Sequence, residues 1–239
     1  MKKERREILR KLMHKREMGF NELWGNVGAS NLFAYHLKVL VEDRLVDKVK
    51  EVYCLSSEGK KYCAYLEGES GEKARAPLVC VVIVVYDDVK KKFLMCERKK
   101  EPFYSYWGSI AGKLKFDQYI YEAAAAELME ESGLVCDLEL KGLCSYKTYN
   151  NGKLSYNHQM FVILATNPRG ELIEKTREGE NHWISEEDVA GLKAFPSALA
   201  PNEIAKGDGF RWIEMDRFQE NDEFVGKKVL RDVCFGEGE

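Results

Sequence analysis

The stretch GKLKFDQYIYEAAAAELMEESGL, residues 112–134, decides the fold of the larger part of this chain. Its centre predicts a helix from about Tyr119 to Ser132, because the alanines at 123–126 have the highest helix propensity of any residue type. Gly133 then ends the run. The packed stripe of this helix is expected to consist of Tyr121, Ala124, Ala125 and Leu128.

Three glutamates of this helix, Glu127, Glu130 and Glu131, stand at positions i, i+3 and i+4 on a flank away from the predicted stripe. Like charges at this spacing repel one another and weakly oppose the helix. One interpretation is an ordinary solvated face. The other is a set of hard oxygen ligands for Mg²⁺ or Mn²⁺, with which the repulsion becomes attraction.

The same stretch resembles the Nudix box, a pattern that runs from a glycine through a Glu-rich helix to a second glycine. The positions that fall in register are Gly112, Glu127, Leu128, Glu130, Glu131, Gly133 and Leu134. The resemblance implies that Glu127, Glu130 and Glu131 are metal ligands and catalytic residues, with the carbonyl of Gly112 completing the metal site. It also implies hydrolysis of a nucleoside diphosphate linked to another moiety.

Two positions depart from the box. Its first glutamate is Gln118 here, and its arginine is Ala126. In the family these two residues commonly form a structural ion pair. Losing both leaves no unpaired buried charge, so metal binding is still expected, with a looser orientation of the metal cluster.

Candidate residues outside the box complete the predicted site. Glu178 and Glu180, just ahead of Trp183, are candidates for a general base. Arg98 is a candidate for binding phosphate. Tyr104 and Tyr106 are candidates for stacking on a base, with core packing as the alternative.

The elements around the box predict an α/β fold. Leu78–Tyr86 and Phe93–Glu97 are apolar strand patterns, and Asn151-Gly152 supplies a positive-φ turn between strands at Leu143–Tyr149 and Leu154–Ala165. Together with the resemblance, they indicate a Nudix-type α/β/α sandwich over residues 78–239. Residues 67–77, polar and glycine-bearing, are predicted to be a linker.

Residues 1–66 form a predicted domain of their own and carry 14 Lys+Arg against 9 Asp+Glu, whereas the remainder carries 23 against 31. Helices are predicted at 2–16, at Phe20–Trp24 and from an N-cap at Ser30, followed by a strand pair around Lys48–Leu55 and a last helix. This succession of elements resembles the winged helix-turn-helix family. The local sequences that support the resemblance are Tyr35–Leu40, Arg44–Val46 and Tyr53–Gly59.

The winged-helix resemblance implies binding of duplex DNA. The helix from Ser30 would enter the major groove, and the wing would lie near phosphates. The alternative is a docking or dimerisation module. The predicted DNA-binding residues are Ser30, Asn31, Tyr35, Lys38, Lys48 and Lys50.

Composition limits the classes of protein to which this chain can belong. The 239 residues are 45% hydrophobic and 32% charged, and no apolar run is long enough to span a bilayer. Without a signal-like N-terminus or paired cysteines, a cytoplasmic protein is expected, with reduced cysteines. The expected partners are a nucleotide-type substrate and duplex DNA, with no membrane, and a homodimer is left open.

Two functions remain open from the sequence alone. The first is a metal-dependent Nudix hydrolase that carries a DNA-binding winged helix. The second is a transcription regulator whose Nudix domain senses a nucleotide ligand such as ADP-ribose with little turnover.

Overall fold

The computed structural model describes residues 1–67, 73–196 and 199–236, apart from the side chain of Leu199. The chain divides into two compact units, Met1–Ala76 and Pro77–Glu239. Of the predicted linker at 67–77, residues 68–72 lie outside the described residues. Within the described ranges, no helix is both long and apolar enough to cross a membrane.

The N-terminal unit is a small helical core with a three-stranded antiparallel sheet. Its elements are α1 (Lys3–His14), β1 (Met18–Gly19), α2 (Phe20–Trp24), α3 (Ser30–Glu42), β2 (Val46–Val49), β3 (Val52–Leu55) and α4 (Ser57–Cys63). The strand order is β1-β3-β2. The buried core of this unit includes Leu9 of α1 and Leu37 and Leu40 of α3.

The start of α3 differs from the prediction. Ser30 is its first helical residue, and Ala29 occupies the N-cap without a side-chain hydrogen bond. The Asn31 side chain instead accepts a hydrogen bond from the backbone N–H of Leu32. Serine is a strong N-cap former, but a one-residue shift at a helix end is within the usual uncertainty of sequence patterns. The winged-helix assignment of residues 1–66 stays a prediction.

The C-terminal unit is one mixed sheet with helices on both faces, in agreement with the α/β prediction. Its elements are β4 (Leu78–Asp87), β5 (Lys92–Arg98), β6 (Trp107–Gly108), β7 (Ile110–Lys113), α5 (Ile120–Ser132), β8 (Leu134–Asn150), β9 (Lys153–Gly170), β10 (Gly179–Ser185), α6 (Glu186–Val189), α7 (Leu199–Lys206), β11 (Phe210–Glu220) and β12 (Glu223–Phe235). The strand order is β10-β5-β4-β9-β8-β11-β12; β6 also pairs with β5, and β7 with β4.

Strand β4 is apolar on both faces because both are covered. Val81 and Ile83 belong to the core beneath α5, whereas Val82 and Val84 belong to the core that includes Ile204 of α7. A strand buried on both sides reads as a continuous apolar run, which is the pattern of residues 78–86. This central strand fixes the two layers of helix relative to each other.

The predicted hairpin is present, with longer strands than the sequence indicated. Strand β8 pairs antiparallel with β9 across the turn at Asn151-Gly152. Both turn residues have positive φ, 48° and 75°, as a tight two-residue turn requires.

Helix α5 begins at Ile120 and ends at Ser132, close to the prediction, but its buried stripe differs. The buried residues are Ala123, Ala124, Leu128 and Ser132. Tyr121 is 49% exposed and Ala125 is exposed as well. A run of four alanines carries no periodic pattern, so the sequence could not place the stripe to the residue. The three glutamates nevertheless lie outside it.

A candidate metal and diphosphate site

Helix α5 is fixed at both ends, which positions its glutamates. At the start, the Glu122 carboxylate accepts a hydrogen bond of 2.8 Å from the backbone N–H of Tyr119. At the end, the buried amide of Asn181 on β10 donates to the carbonyl of Glu131 at 2.6 Å and to that of Ile173 at 2.9 Å. The last turn of the helix is therefore held against the sheet edge.

Glu127 lies directly against Gly112. A Cβ built on Gly112 would stand 2.5 Å from Oε1 of Glu127 and closer still to its Cδ and Cγ. Only glycine leaves space for the carboxylate here. The sequence prediction that Gly112 and Glu127 share a site is consistent with this contact, which joins β7 and α5 across 15 positions of the sequence.

Glu131 is the most perturbed carboxyl group of the cluster. Burial, followed by the carboxylates of Glu127 and Glu178, raises its pKa to about 7, and Arg98 acts in the opposite direction. Burial and the Glu130 carboxylate also raise the pKa of Glu127. A raised carboxyl pKa of this kind marks negative charges held together in a poorly solvated place.

Two carboxylates of the cluster form ion pairs with basic side chains of the protein. The guanidinium of Arg177 pairs with Glu130 and lies 3.7 Å from Glu178. The ammonium of Lys100 pairs with Glu178 at 2.6 Å. The Glu130 and Glu178 carboxylates therefore lie beside basic side chains.

The donor set fits a divalent cation, although its side chains are dispersed. Among the described residues, no three acidic, histidine or cysteine side chains converge closely enough to form a metal site. Glu130 is paired with Arg177, and the carboxylates of Glu127, Glu130 and Glu131 repel one another. The chemistry of the set nevertheless suits Mg²⁺ or Mn²⁺, which take carboxylate and carbonyl oxygens. Because Gly112 has no side chain, there is room for the Glu127 carboxylate beside β7.

A cavity of about 490 Å³ adjoins the cluster. Pockets of this size suit nucleotide-sized ligands. Glu131, Glu178, Gly112, Arg98 and Lys100 all lie in its wall. Carboxylate and basic side chains therefore stand together on the β5 side of the cavity.

The other side of the cavity is aromatic and extends across the sheet to β11. Its wall includes Phe103, Tyr146, Tyr156, His158, Phe195 and Arg217. Strands β5, β4, β9, β8 and β11 are successive neighbours. With about 4.8 Å between neighbouring strands, the cavity spans on the order of 15–20 Å.

The candidate residues outside the box separate into two groups. Arg98 and Glu178 line the cavity. Glu180 does not belong to the cluster, because it pairs with Lys175 and lies opposite Glu97 in the β10–β5 ladder.

Tyr104 and Tyr106 are not in the cavity wall among the described residues. Tyr104 is 52% exposed. Tyr106 is buried, and its hydroxyl donates to Glu223 at 2.6 Å while accepting from the N–H of Phe224 at 3.1 Å. The alternative that Tyr106 packs in the core fits its position, and the neighbouring Phe103 takes the place in the wall.

The two departures from the box have local explanations. Gln118 accepts a hydrogen bond of 3.3 Å from the N–H of Lys115 and so closes the loop ahead of α5. Ala126 is exposed on the helix. Because Gln118 and Ala126 are both uncharged, neither position leaves a buried charge without a partner, as the sequence analysis expected.

The predicted DNA-binding residues lie in the N-terminal unit, all of them exposed: Ser30, Asn31, Tyr35, Lys38, Lys48 and Lys50. The first four lie on α3 or at its start, Lys48 is on β2, and Lys50 is in the β2–β3 turn with a φ of 55°. Lys48 also lies 5.6 Å from the centre of the Tyr53 ring.

The sequence reading missed Arg217 and the two strands β11 and β12. A signal was present in part: Ile213 and Met215 alternate with the acidic residues Glu214 and Asp216, and the same buried register continues through Arg217 and Gln219. Alternation of this kind predicts a strand with one covered face. An arginine in the covered register is a mark of a functional position, because arginine is rarely buried.

Comparison with known proteins agrees with the site. The model of the NUDIX domain family matches residues 76–202, just over half of the chain. The MutT protein of Bacillus halodurans has a similar structure, with 20% identity, coverage of 64% of this chain and 97% of its own, and a TM-score of 0.53. At that identity the likeness concerns the fold alone.

A weaker likeness is found to the Nudix domain of Shewanella oneidensis NrtR, whose structure is complexed with ADP ribose. It has 18% identity, coverage of 62% of this chain and 96% of its own, and a TM-score of 0.49. The family match, the mixed sheet and the glutamates beside the cavity agree, and this chain belongs to the Nudix family.

Proposed function

We propose that the C-terminal unit hydrolyses a diphosphate bond that links a nucleoside to another group, with Mg²⁺ or Mn²⁺ as its cofactor. The observation that carries the proposal is the position of Glu131, Glu178 and Gly112 in the wall of one cavity. Glutamates on an ordinary solvated helix face would have no ligand-sized cavity beside them. Here Glu131 of the helix and Glu178 border a space of ligand size with basic groups beside it.

Each residue has a defined role in this proposal. Glu127, Glu130, Glu131 and the carbonyl of Gly112 hold the cation, which supplies positive charge against the phosphate oxygens. Arg98 and Lys100 bind the outer oxygens of the diphosphate, because a cationic donor makes strong hydrogen bonds to phosphate.

Glu178 is the candidate general base for the attacking water. It lines the cavity, whereas Glu180 pairs with Lys175 away from the cluster. Geometry precedes pKa in the choice of a base. For this reason Glu178 is preferred over Glu180.

A panel assay tests the activity. The purified chain is incubated with ADP-ribose, NAD, dinucleoside polyphosphates, nucleoside triphosphates and nucleotide sugars, each with Mg²⁺, with Mn²⁺ and with EDTA. We expect cleavage at a diphosphate bond of at least one compound, and none with EDTA. A folded chain that cleaves no member of the panel contradicts the proposal.

The second candidate, a ligand-sensing regulator, is favoured by one observation. Gln118 and Ala126 replace the ion pair of the box, and the structure gives Gln118 a loop-closing contact instead. Binding of a panel compound in a calorimetric titration, without its cleavage in the panel assay, identifies this function.

For residues 1–66 we propose binding of duplex DNA. The support is the exposure of the six predicted residues on α3 and in the β2–β3 region, together with the excess of basic residues in this part of the sequence. The contacts would be mainly to phosphates and therefore sensitive to salt. Titration of fluorescent duplex DNA at several salt concentrations tests this assignment.

A further inference from the structure

The hairpin of β11 and β12 lies beyond residue 202, where the family match ends. Strand β11 runs parallel to β8, with Arg217 opposite Thr148 and Met215 opposite Tyr146. This register brings Arg217 to the aromatic side of the cavity. The hairpin therefore contributes Arg217 to the cavity wall from a part of the chain that the family match does not include.

Arg217 is held in one orientation. It is 5% exposed, and its Nε and Nη2 atoms donate to Oγ1 of Thr148 at 3.0 and 2.8 Å. The centre of its guanidinium lies 4.7 Å from the Tyr146 ring centre and 5.4 Å from that of Phe224. Burial lowers the pKa of Arg217 to about 10, so the group remains cationic near pH 7.

Aromatic rings form the wall next to Arg217. Phe103 contacts Tyr156, Phe195 and Phe224 with ring centres 5.4–5.5 Å apart. Bases stack readily on such rings. A flat aromatic ligand therefore matches this end of the cavity better than a compact ion does.

His158 adds a neutral polar group to the same wall. It stacks with Tyr156 at 28° and 6.1 Å. Burial, and then the charges of Arg217 and Lys113, lowers its pKa to about 4. Its Nδ1 atom is buried and has no hydrogen-bond partner among the described residues. His158 lines the cavity, and a buried polar atom without a partner is uncommon in a folded protein.

We propose that Arg217, the stacked rings and His158 form a subsite for a 6-oxopurine ring, and that Arg217 selects it. Arginine only donates hydrogen bonds. A 6-oxopurine presents two adjacent acceptors, O6 and N7, whereas a 6-aminopurine places a donor beside N7. The inference rests on the proposed function, in which the diphosphate occupies the β5 side of the same cavity.

Calorimetric titration of the full chain with nucleoside monophosphates in EDTA tests the subsite without turnover. Inosine and adenosine monophosphate differ at the purine edge, while ribose 5-phosphate lacks the ring. We expect inosine monophosphate to bind at least about tenfold more tightly than adenosine monophosphate, and ribose 5-phosphate to bind more weakly than either.

Three variants test whether Arg217 causes the preference for inosine monophosphate over adenosine monophosphate. Arg217→Met keeps an apolar stem between the rings but removes the donors, and it should abolish the preference. Arg217→Lys keeps the charge without the planar fork and should reduce it. Arg211→Met is the matched control, because Arg211 lies on the same strand and pairs with Asp232 away from the cavity wall. The control should retain the preference.

The outcomes are decisive in either direction. Equal affinities in the wild type, tighter adenosine monophosphate, no binding of any probe at millimolar concentration, or an unchanged preference in Arg217→Met overturns the subsite. If the melting curve shows that Arg217→Met is unfolded, Arg217→Lys decides. Monophosphates cannot be hydrolysed at a diphosphate, so this result is independent of the panel assay that tests the proposed activity.

Discussion

Gly112 and Glu127 are mutually dependent, since the Glu127 carboxylate occupies the space that any side chain on Gly112 would need. Gly112→Ala should therefore displace Glu127 and reduce metal-dependent hydrolysis about a hundredfold, because misplacement of a positioning group by about 1 Å costs that much. Kinetics at saturating Mg²⁺ measure the loss.

A matched control is available on the edge strand. A Cβ on Gly226 has nothing within 4 Å, so Gly226→Ala should keep wild-type activity. An active Gly112→Ala variant would mean that the Glu127 position is not needed for catalysis.

Glu131 should destabilise the metal-free protein at high pH. Its pKa in the folded state is about 7 against an ordinary 4.5. Between these two pH values the unfolded chain loses its proton first, so folded-state stability falls as pH rises through this window and remains reduced above it. Glu131→Gln should stabilise the chain in EDTA by about 3 kcal/mol at pH 8, and by little at pH 4.5. Urea denaturation measures both values.

The control for this experiment is Glu130→Gln, because Glu130 is exposed and pairs with Arg177. Its effect should stay within about 0.5 kcal/mol. A gain from Glu131→Gln that is as large at pH 4.5 as at pH 8 would exclude ionisation as its cause.

The two basic residues predicted on α3 and β2 give a test of DNA binding. Lys38→Gln and Lys48→Gln should each weaken the binding of full-length protein to duplex DNA several-fold and lower the slope of affinity against salt by about one. Lys61→Gln removes an equal charge from α4, where Lys61 pairs with Glu58, and serves as the control. Equal losses in all three variants would indicate a general charge effect without a defined surface.

The features that the sequence predicted well are local ones. The three glutamates share one helix with a strong propensity, and the Asn151-Gly152 turn is set by two adjacent residues. The choice between Glu178 and Glu180 was not local, because it depends on how β10 pairs with β5. Arg217 was missed for the same reason: it reaches the cavity only through the pairing of β11 with β8, some 70 residues earlier in the chain.

Arg177 should compete with the metal ion for Glu130. Its guanidinium pairs with Glu130 and approaches Glu178, so a bound divalent cation meets a positive charge nearby. A unit charge a few ångströms away near a protein surface contributes about 1 kcal/mol or somewhat more, which corresponds to several-fold in affinity. Because the Arg177 side chain is 78% exposed, it gives Glu130 little fixed orientation, and the repulsion should dominate.

Arg177→Gln should therefore lower the Mg²⁺ concentration that half-saturates the thermal stabilisation of the chain by several-fold. Lys175→Gln is the matched control, since Lys175 carries the same charge two residues earlier and pairs with Glu180. It should leave the midpoint close to that of the wild type. Melting temperature followed across a Mg²⁺ titration gives all three midpoints without any assay of activity. A higher midpoint for Arg177→Gln than for the wild type would mean that Arg177 orients the glutamates for the metal and does not oppose it.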